Sequence, residues 1–323
     1  MNINLEGKKV LVTGADGFMG SHLTDRLVEM GAKVSVYLRG NSVSGTTKYT
    51  LKNIKHLEDK LESILTGDIA SSDSISLISK NKPEYIYHLA ADAYVPNSFE
   101  HPIEVKETNL DGTLNVMHAA MNIDNLEQLV VTSSSEIYGT CKGPIDEEHP
   151  MYPSSPYGAS KAAADRFAFS YWNTYKLPVS IIRPFNTYGP RHTYDVVPKF
   201  IRLALEGKPL TVYGLGEQTR DLTYVDDMVR GFLLMGTDKK AVGQAVNFGT
   251  GVDVSIIDLA KKIIEFTNSS SEIAFTPART SEVGKLQVNY SKAKELFGWE
   301  PQVSIDEGIK KNILWAKNNL KLS

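Results

Sequence analysis

The chain has a single cysteine, Cys141, among 323 residues, which excludes an internal disulfide and fits a reducing compartment. It has no run of about 18 apolar residues, so no membrane-spanning helix is expected. Its start, MNINLEGKKVLVTG, lacks the apolar core and small-residue cleavage site of a signal peptide. The expected location is therefore the cytoplasm. Charge of one sign is also missing: 35 Lys plus Arg stand against 38 Asp plus Glu, a formal net charge of −3. That balance gives no footprint for nucleic acid or an anionic membrane, so anionic ligands must be held by local cations and backbone amides. No His/Cys/Asp spacing suggests a metal site.

What the chain does contain is alternation. Runs of strand length (KKVLVTG, KVSVYL, SILTGDI, YIYHLAA, LEQLVVTSSS) are separated by segments of helical period at Ser21–Met30, Ser72–Lys80 and around Val105–Met121. A helical segment then runs from Ala159 to about Tyr175, and PVSIIRPFN reads as another buried strand. This order predicts an α/β fold, a doubly wound parallel sheet with helices on both faces. Beyond it the pattern loosens. Residues 188–225 are rich in Gly, Pro and Tyr, and residues 269–304 mix short elements with turns. We expect one domain over residues 1–187 plus about 226–250, and a smaller C-terminal α/β lobe over about 188–225 plus 251–323.

The stretch VLVTGADGFMGSHL puts Gly14, Gly17 and Gly20 between the first strand and the first helix. Gly14 permits a tight turn, Gly17 lets a pyrophosphate approach the backbone, and Gly20 lets the helix pack on the sheet. The helix N-terminus then faces the phosphates. Strand before and helix after make this a dinucleotide site rather than a flexible glycine loop. In an NAD site an acid at the end of the second strand accepts from the adenosine ribose hydroxyls. Here Leu38 stands at that place and Arg39 follows, a cation suited to the 2′-phosphate of NADP. NADP is therefore favoured, with NAD possible; a solvated surface arginine is the alternative reading.

In SPYGASKAAADRF, Tyr157 and Lys161 lie four apart, on one face of a helix. A phenol with its usual pKa near 10 is a poor base, and a nearby ammonium favours the phenolate. That pairing suits proton transfer to and from a sugar hydroxyl. Such a pair also arises by chance on solvated helices; behind a G-x-x-G-x-x-G turn it points to catalysis.

With these motifs the chain resembles the extended short-chain dehydrogenase/reductase family acting on nucleotide sugars. The likeness runs through TGADGFMG, GDI, HLAA, TNLDGTLNV, SSSEIYG, YGASK, RPFNTYGPR, RDLTYVDD and KAKELFGW. The resemblance implies that Asp16, Phe18 and Met19 join the three glycines at the dinucleotide. It implies the same for Asp68, Ile69, Leu89, Ala90, Ala91, Asn109 and Pro184. Ser134 would hydrogen-bond the reacting hydroxyl, Tyr157 would be the acid/base, and Lys161 would hold the nicotinamide ribose. The substrate, a nucleotide-diphosphate sugar, would meet Asp92, Tyr94, Val95, Asn186, Val197, Lys199, Val212 and Tyr213. Arg220 and Arg279 match the arginines that clamp its diphosphate. The cleft above the carboxyl ends of the strands is the place such a fold offers. Family resemblance also implies a homodimer or homotetramer, through the helices near Val105–Met121 and Tyr157–Tyr175.

One residue distinguishes the dehydratases of this family from its epimerases. All begin with oxidation at C4. Epimerases then return the hydride and need no second base, and their stretch resembles SSSATVYG. Dehydratases resemble STDEVYG or STSELYG, where the glutamate removes the C5 proton, water leaves C6, and hydride returns to C6. SSSEIYG matches the second kind, with Glu136 as the base and Ser134 in the place of threonine. Ser135 stands where the dTDP-glucose dehydratases carry an aspartate that assists the leaving hydroxyl, so Glu136 is left to act as base and acid. A solvated loop carboxylate is the bland alternative. The expectation is a nucleotide-sugar 4,6-dehydratase, most like the GDP-mannose 4,6-dehydratases. Asp92 and Tyr94 depart from the AAQSHVAVSF of that group and point to another sugar; the bacterial GDP-N-acetylglucosamine dehydratases offer one. A UDP-glucuronate decarboxylase, whose stretch reads TSE where this chain has Ser134-Ser135-Glu136, is the sharper rival, but it needs extra cations for the substrate's carboxylate, which are not placed in this sequence. A non-catalytic NADP-binding regulator is the remote one, and retention of Tyr157, Lys161 and Ser134 weighs against it.

Overall fold

In the computed structural model, which describes residues 3–43, 46–48, 51–278 and 284–319, seven apolar runs form one sheet. They are β1 (Lys9–Thr13), β2 (Lys33–Leu38), β3 (Ser63–Thr66), β4 (Tyr85–His88), β5 (Gln128–Thr132), β6 (Val179–Pro184) and β7 (Ala245–Phe248). Their order is β7-β6-β5-β4-β1-β2-β3. Neighbours from β3 through to β6 pair in parallel. β7 continues the pattern, with Ile181 N–H donating to Gln244 O and Phe185 N–H to Phe248 O. The fold is the doubly wound, Rossmann-type sheet that the alternation implied. The strand order reverses between β1 and β4, and Thr13 pairs in register with His88 there. In such sheets the crevice beyond the carboxyl ends at that reversal is where ligands bind.

The chain divides into two compact units. The first holds residues up to Ile137, Ser155–Arg183 and Val229–Val246. Its helices include α1 (Phe18–Glu29), α2 (Asp73–Asn81), α3 (Gly112–Met121) and α4 (Pro156–Tyr175). Leu11, Ile86, Leu129 and Val131 from the sheet pack with Val116, Met117 and Ala120 of α3 and Ala168 of α4. Each buried Leu, Ile or Val is worth roughly 1.5–3 kcal/mol. Beside α3 the sequence pattern simplified what is there. The helix Pro102–Lys106 continues into α3 through a π turn, Glu107–Asp111. Such a turn inserts one residue without ending the helix, and apolar periodicity does not announce it.

The second unit holds Tyr138–Ser154, Pro184–Met228 and the chain from Asn247 onward. It contains α5 (Val196–Leu205), α6 (Ile256–Thr267) and α7 (Ile305–Asn319). Small sheets accompany them, one of them the two-stranded pair Thr187–Tyr188 with Thr223–Tyr224. Leu210–Tyr213 pairs with Ile273–Thr276, and Thr219–Asp221 lies between Asp253–Ser255 and Lys285–Leu286. α5 is a regular amphipathic helix within the stretch that Gly, Pro and Tyr made look loose. Its ends explain why: it starts after Asp195, held at φ 72°, in a run of turns. In KAKELFGW, Gly298 takes φ 64° to end the helix Ser291–Phe297. The buried Trp299 indole then donates to Asp227 O at 3.2 Å.

Candidate active site

The phosphate-binding turn is built by contact as well as by glycine freedom. Gly14 adopts φ 71°, and a Cβ there would meet Ala90 N at 2.8 Å. A Cβ on Gly20 would lie 2.2 Å from Gly14 O, so no side chain fits where α1 packs back on the turn. Gly17 caps α1 in extended conformation and supplies no side-chain acceptor to the first-turn amides. A backbone cradle at an uncapped helix N-terminus fits the diphosphate of a dinucleotide. The Asp16 side chain braces the turn. Its carboxylate accepts from the amides of Lys52, Asn53 and Ile54 at 2.9, 2.7 and 3.3 Å, pinning that segment beside the turn. Phe18 and Met19 form the first turn of α1.

At the ends of β2 and β3, Leu38 is buried while Arg39 is mostly exposed. The Arg39 guanidinium lies 4.0 Å from Asp68 Oδ2. Asp68 Oδ1 accepts from Ala70 N at 3.0 Å, and Ile69 packs beneath Gly112. After β4, Leu89 N–H donates to Thr13 O, Ala90 N–H to Thr13 Oγ1, and Ala91 follows toward Asp92. Asn109, in the π turn and wholly buried, clamps Asp92 by its backbone: Asp92 N–H donates to Asn109 Oδ1 at 2.8 Å, and Asn109 Nδ2 donates to Asp92 O at 3.1 Å. Asp92 Oδ2 accepts from Asn97 Nδ2 at 2.6 Å. Tyr94 is half exposed, and Val95 O receives the Ser98 hydroxyl.

α4 starts where the sequence allows it. Ser155 caps it by accepting from Gly158 N at 3.0 Å, and Pro156 takes the first helical position. Tyr157 and Lys161 are both buried one turn apart. The Lys161 ammonium donates to Thr132 O at the end of β5, and burial pushes its pKa down from the usual 10.5 to about 8. Next to that carbonyl, Thr132 Oγ1 and Ser133 Oγ are buried without a hydrogen-bond partner among the described residues. Buried polar atoms of that kind await a ligand or water. Ser134 Oγ accepts from Glu136 N at 3.2 Å. Ser135–Ile137 form a 3₁₀ turn that packs against α4, with Ile137 and Ser135 buried and Glu136 half buried. Pro184 ends β6.

In the second unit, Asn186 Oδ1 is buried without a partner among the described residues, while Asn186 O accepts from Thr223 N at 2.8 Å. The Lys199 ammonium of α5 stands over the Tyr213 ring, 5.4 Å from its centre, and Val197 and Val212 are buried. Arg220 occupies the middle of the central strand Thr219–Asp221, opposite Val254 and Leu286. Beside it, the buried Asp221 carboxylate accepts from Thr250 N, Thr250 Oγ1, Gly251 N and Val288 N, which ties that strand to its neighbours. Arg279 lies outside the described residues. The sequence reading passed over His88, Thr13 and Thr113, although HLAA carried the first of them. Among the described residues no group of three or more His, Cys, Asp or Glu could hold a metal, and no helix is long and apolar enough to cross a membrane.

The GDP-mannose 4,6-dehydratase family model matches residues 11–312. The dTDP-D-glucose 4,6-dehydratase of Homo sapiens is 35% identical over 97% of this chain and 91% of its own. UDP-glucuronic acid decarboxylase 1 of Xenopus tropicalis is also 35% identical, over 97% of this chain and 73% of its own. The structure of UDP-glucuronic acid 4-epimerase from Bacillus cereus, in complex with UDP-glucuronic acid and NAD, superposes with a TM-score of 0.87. It is 30% identical and covers 96% of this chain and 99% of that one. The chain belongs to the GDP-mannose 4,6-dehydratase family, within the extended short-chain dehydrogenases/reductases. Its relatives thus include a dehydratase, a decarboxylase and an epimerase, and the residues of the site have to decide among them.

Proposed function

We propose that this protein is a nucleotide-sugar 4,6-dehydratase, producing a 4-keto-6-deoxy sugar. The observation that carries the reading is the 3₁₀ turn holding Glu136 against α4, the helix of Tyr157 and Lys161. A nicotinamide dinucleotide, held by the glycine turn and Lys161, would supply the hydride acceptor for C4 and the hydride donor for C6. Tyr157 takes the C4 hydroxyl proton, and the buried Lys161 charge favours its phenolate. Ser134 accepts from the Glu136 amide and so keeps its own hydroxyl proton for the reacting oxygen. The 4-keto group acidifies C5–H, and Glu136 removes that proton. The same carboxyl, now protonated, gives it to the hydroxyl leaving C6, which departs as water. A solvent proton then reaches C5 as hydride reaches C6. By the resemblance, Arg220 and Arg279 would clamp the diphosphate beside Asn186, and Lys199, Val212 and Tyr213 would line the nucleotide's end.

The decarboxylase reading keeps support from the Xenopus tropicalis relative, 35% identical over 97% of this chain. Mass spectrometry after incubation with UDP-, GDP-, dTDP- and CDP-sugars separates the cases. Loss of one water supports dehydration, loss of carbon dioxide would establish the decarboxylase, and an unchanged mass with inverted C4 the epimerase.

The dinucleotide is NADP. Leu38 gives the ribose hydroxyls no acid, and Arg39 offers a cation to a 2′-phosphate. NADP should bind more tightly than NAD, and Arg39→Ala should remove most of a difference on the order of tenfold. Equal affinities in titrations of the unmodified protein would end this assignment.

Two copies associate through the helices of the first unit. α3 packs against α4, and Met121, Phe167 and Tyr175 on these two helices are each more than 40% exposed. Apolar surface of this kind marks an interface. Light scattering should give at least twice the 35.7 kDa of one chain; a monomer would refute the assembly.

A further inference from the structure

His88 sits at the end of β4, 2% exposed, with both ring nitrogens engaged. Nδ1 is 2.8 Å from Thr13 Oγ1, and Nε2 is 3.0 Å from Thr113 Oγ1. The direction of each bond is forced. Thr113 spends its only hydroxyl proton on Asn109 O, at 2.6 Å, so it can only accept from the ring, and Nε2 must carry a proton. Thr13 Oγ1 already accepts from Ala90 N at 3.1 Å and turns its own proton to Nδ1. Burial, helped by the Lys161 charge, pushes the imidazole pKa down to about 3, so the ring is neutral and the chain runs one way. It passes from Ala90 N–H through Thr13, His88 and Thr113 to Asn109 O. The Asn109 side chain carries it on, clamping the Asp92 backbone and donating to Ser160 Oγ at 3.1 Å. Ser160 donates to Tyr157 O at 2.7 Å.

We propose that His88 is a positioning residue: as its Nε2–H tautomer it holds the Ala90–Asp92 loop and the π turn in register with the first turn of α4, which carries Tyr157. Asn109 joins the loop, the π turn and α4 directly, and His88, through Thr13 and Thr113, ties that group to the end of β1 and the start of α3. Ala90 rests on Gly14 at the phosphate turn, and the π turn packs against α4. Losing the imidazole therefore loosens the flank of the dinucleotide and the reacting tyrosine together. This deepens the dehydratase reading, since it concerns the same site, but two of its readouts need no turnover.

The test begins with histidine-¹⁵N NMR on the unmodified protein, His88 being assigned by its loss in His88→Gln. A neutral Nε2–H ring that does not titrate between pH 8 and 5 is expected. An Nδ1–H tautomer, or titration in that range, would overturn the proposal. His88→Leu is next compared by dinucleotide titration and by single-turnover hydride transfer from a nucleotide sugar. Affinity should fall on the order of tenfold and transfer on the order of 10², the scale of a small misplacement of reacting groups. The apparent KM for the sugar should hardly move. His88→Gln, which can still donate to Thr113, should recover more of the transfer rate than His88→Asn, and this pair carries the test should the leucine variant fail to fold. Folded variants with unmodified affinity and transfer would refute the role. If the unmodified protein turns over no nucleotide sugar, the dehydratase reading fails, while the tautomer and the dinucleotide affinity still judge His88.

Discussion

Glu136→Gln should leave an enzyme that oxidises C4 yet scarcely releases water. Glutamine keeps the shape and the backbone amide that donates to Ser134, so the 3₁₀ turn, anchored by the buried Ile137, has no reason to move. What it loses is a group that accepts the C5 proton at neutral pH. Tyr157, Lys161 and Ser134 stay in place, and some reduced dinucleotide should accumulate, visible by its absorbance. Water release should fall by a factor on the order of 10² or more, the usual scale for removing a general base. In heavy water the unmodified enzyme should place deuterium at C5 and the variant should not. Near-normal dehydration by the variant would reduce Glu136 to a loop carboxylate.

Tyr157→Phe should stop the sequence one step earlier. The ring remains in its buried position, and the Ser155 cap of α4 is untouched, so folding and dinucleotide binding should be close to normal. Without the phenol the C4 hydroxyl has no base, and the first hydride transfer should fall by about 10²–10⁴. No reduced dinucleotide should then build up, in contrast to Glu136→Gln. Reading both variants by stopped-flow absorbance and by water release assigns the two residues to separate steps. Ordinary turnover in Tyr157→Phe would strip that residue of its part.

Tyr157 stands out in the sequence by a local signal, whereas Glu136 stands out only by its resemblance to the dehydratases' stretch. Four residues of spacing put Tyr157 and Lys161 on one face of a helix, although the Ser155 cap starts α4 at Pro156, three residues before the Ala159 that periodicity marked. Three glycines between an apolar run and an amphipathic one make a turn whose close approaches to Ala90 and Gly14 O admit no side chain. The alternation of runs likewise implied the doubly wound sheet. Rules of this kind involve neighbours within one or two turns, and the chain carries them wherever it goes. Partners farther apart were not legible. Asp16 matched a family position at the dinucleotide, and that match does not name the amides of residues 52–54 that its carboxylate holds. Nothing near Lys161 names the Thr132 carbonyl, 29 positions away, as its acceptor. His88 reads as an ordinary end to a buried strand. Only the sheet order, which seats β4 beside β1, and the π turn, which redirects the helix face around Asn109, bring it between Thr13 and Thr113, 75 and 25 positions away. Periodicity settles which face of an element is buried. Which polar groups meet inside is settled by packing, because a buried donor must find an acceptor wherever the assembled sheet and helices have left one.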